Sequence, residues 1–492
     1  MKKFLSLVLA LVMTMSLVTV SAGAKDFTDD SKLTYKEAVD VISEIGVVDG
    51  YTDGSFNPQN NLTRGAAAKI ICNLILGPTT AAALSADTAP YKDVPTTNDF
   101  AGYIAYCAQQ GIISGYADGT FRPAAPLTGY AFMKMLLGAL GYDAEIEGYV
   151  GANWSVQVGK TALGIGLADG YDGEFSGVKA VNREEACLFA FNMLQATMVE
   201  YDSKITANVN GAEVTIGNSK ASPVAWATGS KNDGNIDKDG MVQFAEQYFS
   251  KLELKDGTDD FARPANVWYM KADKIGTYAK TAVATYTAKV EIGDIYKDLR
   301  LKRTIAKADV SVYVDGVPSK EHPNMKDQLA LDIKKGDDDN KYGANGVLTQ
   351  VFYDEDNGTV TITEINTYAG QVNKNVAATS KKDAYVQIAT LDAVPGETGN
   401  LDYETEETFD EDSYVQFTYS ESAECVKSVA ETEAVSGTVT KVINKASDEA
   451  TNGLTIDGTA YKTAKQVSGE SLGEVSVKND YDVYLDQYGY VL

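Results

Sequence analysis

The chain has 492 residues, of which 44% are apolar, so it is long enough for two or three domains that each bury a core. Its 69 acidic residues outnumber 43 basic ones and give a formal net charge of −26. This negative balance argues against partners such as nucleic acid or an anionic membrane surface, and it suits a solvated exterior.

The first residues have the pattern of a secretory signal. Lysines at positions 2 and 3 precede an apolar run over residues 4–20, and small residues follow at 22–24. Residues 1–24 are therefore predicted to be a signal peptide that is cleaved before Lys25, which makes the mature protein an exported one. No later run is long and apolar enough to predict a transmembrane helix.

One short loop pattern recurs three times in the first 200 residues. The copies are G-Y-T-D-G-S-F at Gly50–Phe56, G-Y-A-D-G-T-F at Gly115–Phe121 and G-Y-D-G-E-F at Gly170–Phe175. Each copy lies between two apolar stretches with helical character. The pattern predicts three repeats of helix, ordered loop and helix, in which Gly supplies positive φ, Asp bonds its own backbone and the aromatic rings pin the loop.

The second helix of each repeat is expected to begin after a polar residue, namely Thr63, Thr128 or Asn182. The side-chain oxygen of such a residue accepts a hydrogen bond from an amide of the first helical turn. In the third repeat, Asn182 and Glu185 together predict a capping box, whereas alanine stands at the place of Glu185 in the other two repeats.

These motifs, in this order and spacing, resemble the S-layer homology (SLH) family, whose repeats combine F-x-D, an apolar helix, G-Y-x-D-G-x-F and an I-T-R-A-E helix start. The resemblance assigns the repeats to residues 26–85, 86–145 and 146–200. It implies an N-terminal α-helical pseudo-threefold bundle, with grooves that hold an anionic and often pyruvylated secondary cell-wall polymer. The N-terminal region would then be a wall anchor.

The I-T-R-A-E arginine is the main anion contact of the family, and it corresponds here to Arg64 and Arg183, with Gly129 at that place in the second repeat. A guanidinium at a helix start adds a planar fork of donors beside free amides, which suits a carboxylate or phosphate. The alternative is that the arginines merely cover the helix starts. The polymer-binding set that the resemblance implies is Arg64, Arg183, Thr63, Asp53, Gly54, Asp118 and Gly119.

Beyond residue 200 the chain alternates Val, Thr and Tyr, which is typical of strands, as in residues 284–290, 347–353 and 481–485. Asp-Gly and Asn-Gly pairs at 315–316, 357–358 and 457–458 predict hairpins. The fold class expected for the whole chain is therefore multidomain, with helical repeats followed by β-sandwich or barrel-like modules at 201–430 and 431–492.

One segment resembles a calcium-binding EF-hand loop. Its oxygen ligands would come from Asn235, Asp237, Asp239, the carbonyl of Met241 and Glu246, around a bend at Gly240. Asn235 replaces the usual first Asp and no entering helix precedes it, so an ordinary surface turn is the alternative. Calcium is the only candidate cofactor.

The four cysteines, Cys72, Cys107, Cys187 and Cys425, are widely spaced and are interpreted as buried thiols, with a disulfide among them left open. Their spacing does not predict a zinc site. His322, the single histidine, precedes a proline and is expected in a loop, which leaves most histidine-dependent catalysis without a candidate.

Three function classes follow from these observations. The first is a structural or display protein that is anchored to the wall polymer, with self-assembly as an additional expectation. The alternatives are an anchored glycan-active enzyme and an anchored adhesin or ligand-binding protein. An enzyme would need convergent acid, base or nucleophilic groups, and no spacing singles out a carboxylate pair.

Overall fold

A computed structural model describes residues 25–201, 205–209, 212–216, 220–298, 309–322, 341–380, 382–445, 449–467 and 469–492. The predicted signal peptide, residues 1–24, lies outside the described residues. The chain divides into two compact units, of which the first contains the described residues up to Lys255 together with Val267–Gly276. The second contains Asp256–Asn266 and Thr277–Leu492.

Helices are the main regular elements of the first unit, which we call the helical unit, as the repeat pattern predicts. A short 3-10 turn at Asp30–Lys32 precedes them. The α-helices described in this unit are α1 (Lys36–Glu44), α2 (Arg64–Leu76), α3 (Pro78–Ala82), α4 (Ala101–Gln109), α5 (Gly129–Ala139), α6 (Trp154–Gly164), α7 (Arg183–Gln195) and α8 (Phe244–Tyr248).

Helices α2, α5 and α7 begin directly after the polar residues that the sequence marks. Thr63 Oγ1 accepts from the amide of Ala66 at 3.2 Å, and Thr128 Oγ1 accepts from the third amide of α5 at 3.4 Å. Asn182 Oδ1 accepts from Glu185 N at 2.8 Å, and the Glu185 carboxylate accepts from Asn182 N at 2.8 Å. Both bonds of the capping box are therefore present at the start of α7.

A closed ring of backbone hydrogen bonds joins the three predicted repeats just before these helices. Leu62 N donates to Val181 O, Val181 N donates to Leu127 O, and Leu127 N donates to Leu62 O, each at 2.9 Å. The three side chains are buried. Each repeat thus contacts the other two through equivalent residues, and the ring places the starts of α2, α5 and α7 around one point.

Short strands follow the helical repeats within the first unit. Strand β1 (Val199–Glu200) pairs with β4 (Ser222–Pro223), and β2 (Ile205–Val209) pairs with β3 (Ala212–Ile216). The division between the two units falls within the strands of a three-stranded sheet. Those strands are β5 (Leu252–Thr258), β6 (Pro264–Met270) and β7 (Asp273–Ala279).

The regular elements of the second unit are mainly strands, and we call it the strand-rich unit. This confirms the prediction of strands that rested on the change in composition beyond residue 200. Its first large sheet has the order β11-β10-β14-β13-β8, with β10 and β14 parallel. The strands are β8 (Ala284–Tyr286), β9 (Val290–Glu291), β10 (Asp309–Val314), β11 (Val317–Pro318), β12 (Lys341–Tyr342), β13 (Leu348–Asp354) and β14 (Thr359–Ile365), with β9 paired to β12. Helix α9 (Ile292–Asp298) places Ile295 in the core beneath this sheet.

Two further sheets complete the second unit. Their orders are β17-β16-β15-β18-β19 and β22-β21-β20-β23, and each covers its own cluster of buried apolar side chains. A 3-10 turn at Glu449–Thr451 and helix α10 (Gly469–Gly473) accompany the last sheet. The strands are β15 (Tyr368–Val376), β16 (Tyr385–Thr390), β17 (Asn400–Glu404), β18 (Tyr414–Ser420), β19 (Cys425–Glu431), β20 (Glu433–Ile443), β21 (Gly453–Ile456), β22 (Thr459–Lys462) and β23 (Asp480–Leu485).

The predicted hairpins lie where the Asp-Gly pairs indicate. Asp315 and Gly316 have φ of 47° and 91° between β10 and β11, and Asp457 and Gly458 have φ of 45° and 87° between β21 and β22. Two consecutive residues with positive φ are characteristic of the two-residue turns whose twist matches antiparallel strands. Asp and Gly tolerate that conformation, which is why this dipeptide predicts the turn.

Candidate functional site

Arg64, the first residue of α2, reaches from the first repeat to the loop of the second. Its Nε donates to the carbonyl oxygen of Phe121 at 2.8 Å, and Nη2 donates to that of Ser114 at 3.2 Å. The guanidinium carbon lies 4.4 Å from the ring centroid of Phe121 and 5.1 Å from that of Tyr116. The guanidinium is thus fixed by two carbonyls and stacked on an aromatic floor.

Arg183, the first residue of α7, makes the same contacts from the third repeat to the first. Its Nε donates to Phe56 O at 2.9 Å, and Nη2 donates to Asp49 O at 2.9 Å. The guanidinium carbon lies 4.8 Å from the ring centroids of both Phe56 and Tyr51. We call these two places the Arg64 groove (Arg64, Ser114, Tyr116, Phe121) and the Arg183 groove (Arg183, Asp49, Tyr51, Phe56).

In each groove the guanidinium keeps one nitrogen that no described residue binds. Within the part of the chain that the structure describes, Nη1 of neither Arg64 nor Arg183 has a hydrogen-bond partner. Both arginines are half-buried, while the flanking Tyr116 and Tyr51 are 42% and 46% exposed. Burial lowers the pKa of Arg64, but an arginine stays protonated at any physiological pH.

The helix amides beside the arginines are occupied, which corrects the sequence-based expectation of free amides. Arg64 N donates to Ala125 O at 3.0 Å, and Gly65 N donates to Pro123 O at 2.8 Å. Arg183 N donates to Asn60 O at 3.0 Å in the corresponding place. Because the neighbouring loops saturate the first turn, an anion in either groove has to be held by the guanidinium.

The third equivalent place is closed. Gly129 stands where the other repeats have arginine, and a Cβ there would come within 3.1 Å of the Phe175 ring and 3.2 Å of the Gly177 backbone. The Phe175 ring packs edge-on against Tyr130 and Phe189, with centroid distances of 5.9 and 5.5 Å. The ring thus occupies space next to the helix start, where the other loops have a stacked guanidinium.

The remaining residues of the predicted set shape the loops. Asp53 Oδ1 accepts from the amide of Ser55 at 3.0 Å, and Asp118 Oδ1 accepts from the amide of Thr120 at 2.9 Å. The hydroxyl and amide of Thr120 lower the pKa of Asp118 to about 2. Thr63 caps α2, as described above. Gly54 and Gly119 have φ of 85° and 80°, which only glycine adopts without strain.

Sequence reasoning missed one basic residue of the Arg64 groove. Arg122 lies 4.1 Å above the Tyr116 ring centroid, and its Nη2 donates to Asp118 Oδ2 at 2.9 Å. Its side chain is 52% exposed. The residue at the same place in the first repeat is Asn57, so a comparison of the three loops gave no signal for a shared function.

The candidate calcium loop has a different organisation from the expected one. Glu246 is fully buried; its Oε1 accepts from the amides of Gly234 and Ile236, both at 3.1 Å, and its Oε2 accepts from Trp226 Nε1 at 2.8 Å. Among the described residues there is no group of three or more His, Cys, Asp or Glu that could hold a metal ion.

The other predicted ligands of that loop also make protein contacts. Asp239 Oδ1 accepts from Met241 N at 2.7 Å and from Gln243 Nε2 at 3.0 Å, and Asn235 Nδ2 donates to a backbone carbonyl at 3.2 Å. Burial raises the pKa of Asp237. This network favours the surface turn, and calcium binding stays a prediction.

The structure confirms the buried-thiol interpretation for three of the four cysteines and the loop position of the histidine. Cys72, Cys107 and Cys187 are buried, whereas Cys425 is half-buried. His322 follows strand β11 and packs against the ring of Tyr342, with 4.8 Å between centroids. Within the described residues no helix is long and apolar enough to cross a membrane.

Comparison with known proteins identifies the first two repeats. The S-layer homology domain model matches residues 26–68 and 90–129, which are the first two repeats up to the starts of α2 and α5. This chain carries S-layer homology domains. The third repeat, residues 146–200, is not covered by the match and stays a prediction, although Arg183 makes the same contacts as Arg64.

Several relatives of this chain are named as surface proteins. This chain is 27% identical over 220 residues to cell surface glycoprotein 1 of Acetivibrio thermocellus. The aligned region covers 41% of this chain and 9% of that protein. The chain is 27% identical over 218 residues to the surface layer protein of Brevibacillus choshinensis, and the aligned region covers 42% of this chain and 18% of that protein. The chain is also 29% identical over 148 residues to the cellulosome-anchoring protein of Acetivibrio thermocellus, and the aligned region covers 28% of this chain and 33% of that protein.

The family match and these relatives make this protein a secreted protein of the cell surface. The matching proteins are mostly surface-layer or cell-surface proteins, and one is named as an uncharacterised cell wall amidase. The matched region spans only a small part of the first relatives, 9% and 18% of their lengths. The names of the relatives are therefore informative about the N-terminal repeats. The role of the strand-rich unit has to be inferred from its own structure.

Proposed function

We propose that this protein is held on the cell wall by an anionic secondary wall polymer that binds in the Arg64 and Arg183 grooves. The three repeats, including residues 146–200, act as one pseudo-threefold bundle in which each groove is made by two neighbouring repeats. The strand-rich unit has a structural or display role on the surface. The place at Gly129 does not take part in binding.

The observation that carries this proposal is the repetition of one arrangement in two places. In both grooves an arginine is held by two loop carbonyls and stacked on an aromatic ring, while Nη1 has no partner among the described residues. A fixed guanidinium with open donors loses little conformational entropy when it binds a carboxylate or phosphate. Arginines that only covered the helix starts would not need the same orientation twice.

The groove walls are suited to a sugar that carries the anion. Exposed Tyr51 and Tyr116 flank the two guanidinium groups, and an aromatic face beside a cation can contact the apolar face of a sugar ring while the charge is neutralised. A pyruvate ketal or a phosphate on a glycan offers that combination. Arg122 adds a second cation to the Arg64 groove, so this groove is the better match for a doubly charged group.

Among the described residues of the strand-rich unit, the exposed apolar side chains do not favour an adhesin. Among its described residues the exposed large apolar side chains are Val283, Leu391, Tyr414 and Val477, which come from separate segments. An adhesin with an aromatic binding surface would need several such side chains together. A structural or display role fits these features, and electron microscopy of the purified protein distinguishes a lattice from isolated particles.

Sedimentation with purified cell walls tests the proposal. The mature protein, residues 25–492, should pellet with intact walls and stay in the supernatant with walls from which the secondary polymer has been extracted. The double variant Arg64→Ala and Arg183→Ala should lose binding to intact walls. Lys69→Ala is the matched control, because Lys69 is an exposed cation on α2 that lies outside both grooves.

Two results would contradict this function. Equal binding to intact and extracted walls would mean that the polymer is not the ligand. Full binding by the double arginine variant, with polymer-dependent binding by the unchanged protein, would mean that the polymer binds elsewhere on the chain.

A further inference from the structure

Two cysteines from neighbouring repeats face each other in the core of the helical unit. Cys72 in α2 and Cys107 in α4 have their Sγ atoms 3.6 Å apart, and both residues are fully buried. Each thiol also lies against the other helix, with Cys72 Sγ 3.6 Å from Tyr103 O and Cys107 Sγ 3.6 Å from Ala68 O. Within the described residues this is the only contact between two cysteine sulfurs.

We infer that Cys72 and Cys107 form an intramolecular disulfide in the exported protein, which cross-links the first and second repeats. A disulfide bond is about 2.05 Å long, so the two sulfurs need to approach by roughly 1.5 Å from their contact distance, a movement that side-chain rotation can supply. The other two cysteines lie elsewhere in the chain, Cys187 in α7 and Cys425 in the second unit.

The cross-link needs an oxidant, and the exported location supplies the compartment in which disulfides persist. With a small-molecule disulfide as the oxidant, one cysteine thiolate attacks it and forms a mixed disulfide, releasing one small thiol. The second thiolate then displaces the other small thiol and closes the Cys72–Cys107 bond. Two protons and two electrons pass to the oxidant, which leaves as two thiols.

Timing follows from burial. The hydrogen bond with Cys72 and burial both raise the pKa of the Cys107 thiol, so its thiolate is scarce once the core has formed. The reaction therefore takes place before α2 and α4 are fully packed, and the folded reduced protein should be slow to oxidise.

The position of the cross-link connects it to the Arg64 groove. Helix α2 carries Arg64, and the second repeat carries the loop that Arg64 contacts. A bond between residues 35 positions apart restricts the unfolded chain and should raise the melting temperature of the helical unit. All three tryptophans, Trp154, Trp226 and Trp268, belong to this unit, so their fluorescence reports its unfolding.

Thiol counting on the mature full-length chain tests the inference. The protein is refolded with oxidised and reduced glutathione, alkylated in denaturant and analysed by mass spectrometry. We expect two of the four cysteines to be alkylated before reduction and all four after it, with a non-reduced peptide pair that contains Cys72 and Cys107. Cys72→Ala should remove the cross-linked pair, and Cys187→Ala should retain it.

The melting temperature gives a second measurement. The oxidised protein should melt several degrees above the reduced one, and this difference should be absent in Cys72→Ala. Four alkylated cysteines in the unreduced protein would overturn the inference, and so would a cross-link that includes Cys187 or Cys425. The peptide pair from the unsubstituted protein decides the question even if Cys72→Ala does not fold.

Discussion

Arg183 of the third repeat donates through Nε to the carbonyl oxygen of Phe56 in the first repeat at 2.9 Å, while its guanidinium lies over the Phe56 ring. Arg64 makes the same bond to Phe121 in the second repeat at 2.8 Å. Each groove is therefore shared between two repeats. A single repeat contains an arginine and a loop but cannot form a groove from them.

The planar fork of the arginines should matter beyond their charge. Replacing Arg64 by Lys keeps the cation but removes the second forked nitrogen and the stacked plane, so wall binding should fall to a level between those of the unchanged protein and Arg64→Ala. The loss of one charge-assisted hydrogen bond corresponds to roughly a ten- to hundredfold weaker affinity. Wall sedimentation over a concentration series measures it.

The same experiment needs a check on folding, because Arg64 also holds the loop at Phe121. Tryptophan fluorescence during heating should show that both Arg64 variants retain a cooperative transition of the helical unit. Binding by Arg64→Lys that equals that of the unchanged protein would show that charge alone is sufficient.

The local part of this architecture could be read from the sequence. The starts of α2, α5 and α7, the positive-φ glycines of the loops and the Asp-Gly hairpins all depend on short-range backbone preferences, which residues such as Thr63, Asn182 and Gly316 express directly. The location of Arg64 and Arg183 at helix starts followed from the same signals.

Contacts between repeats could not be read in this way. Glu184 accepts from Thr34 N at 2.8 Å and from Gln59 Nε2 at 2.6 Å, although these residues are far apart in the sequence. Nothing in the neighbouring sequence marks Glu184 as a residue that will be buried. The closure beside Gly129 and the role of Glu246 likewise depend on side chains that only the folded chain brings together.

The Gly129 place should reject a side chain. Because a Cβ there would lie 3.1 Å from the Phe175 ring, Gly129→Ala should lower the free energy of unfolding of the helical unit by about 1 kcal/mol. Gly129→Arg should cost at least as much and should not increase wall binding. Denaturant unfolding followed by tryptophan fluorescence measures the first effect.

Gly138→Ala is a suitable control for that measurement, because a Cβ at Gly138 in the same helix would meet its nearest neighbour at 3.6 Å, an ordinary contact. Removing a glycine from a helix interior should be neutral or stabilising there. Stronger wall binding by Gly129→Arg would show that the third place can open into a groove.

The Glu246 loop should be held by its own hydrogen bonds and not by calcium. Glu246→Gln replaces one acceptor oxygen by an amide nitrogen that faces donors, so it should lower the free energy of unfolding of the helical unit by about 1–3 kcal/mol. The melting temperature of the unchanged protein should be the same in millimolar calcium as in the presence of a chelator.

Asp239→Asn separates the two interpretations of this loop. An asparagine oxygen can still accept from Met241 N, so the variant should be close to the unchanged protein in stability if the loop is a turn. A melting temperature that rises with calcium in the unchanged protein and does not rise in Asp239→Asn would establish a calcium site.

Stability of the strand-rich unit should depend on pH through Asp486. This carboxyl lies just after β23, where Oδ1 accepts from Tyr488 N and Tyr490 N, both at 2.8 Å, and Oδ2 is buried without a partner among the described residues. Burial raises the pKa of Asp486 from 3.8 to about 6, and the hydrogen bonds from these amides lower it by a smaller amount. The folded unit therefore favours the protonated form.

The direction of the pH effect follows from that shift. The folded state binds a proton more tightly than the unfolded state, so the contribution of Asp486 is fully present below pH 4 and is lost as the pH rises through 6. At pH 7 the loss is about 2–3 kcal/mol. Asp486→Asn should remove this dependence, so that the variant gains stability relative to the unchanged protein between pH 4 and pH 7.

Calorimetry at a series of pH values measures this difference on the unfolding transition of the strand-rich unit. Tryptophan fluorescence does not report that transition, because all three tryptophans lie in the helical unit. Asp482→Asn is the matched control, because Asp482 lies on β23, the strand that Asp486 follows, has an exposed side chain and should leave the pH dependence unchanged. If the difference between Asp486→Asn and the unchanged protein is constant from pH 4 to pH 7, the buried carboxyl does not titrate in this range. A constant difference would place the pH sensitivity of the unit in another group.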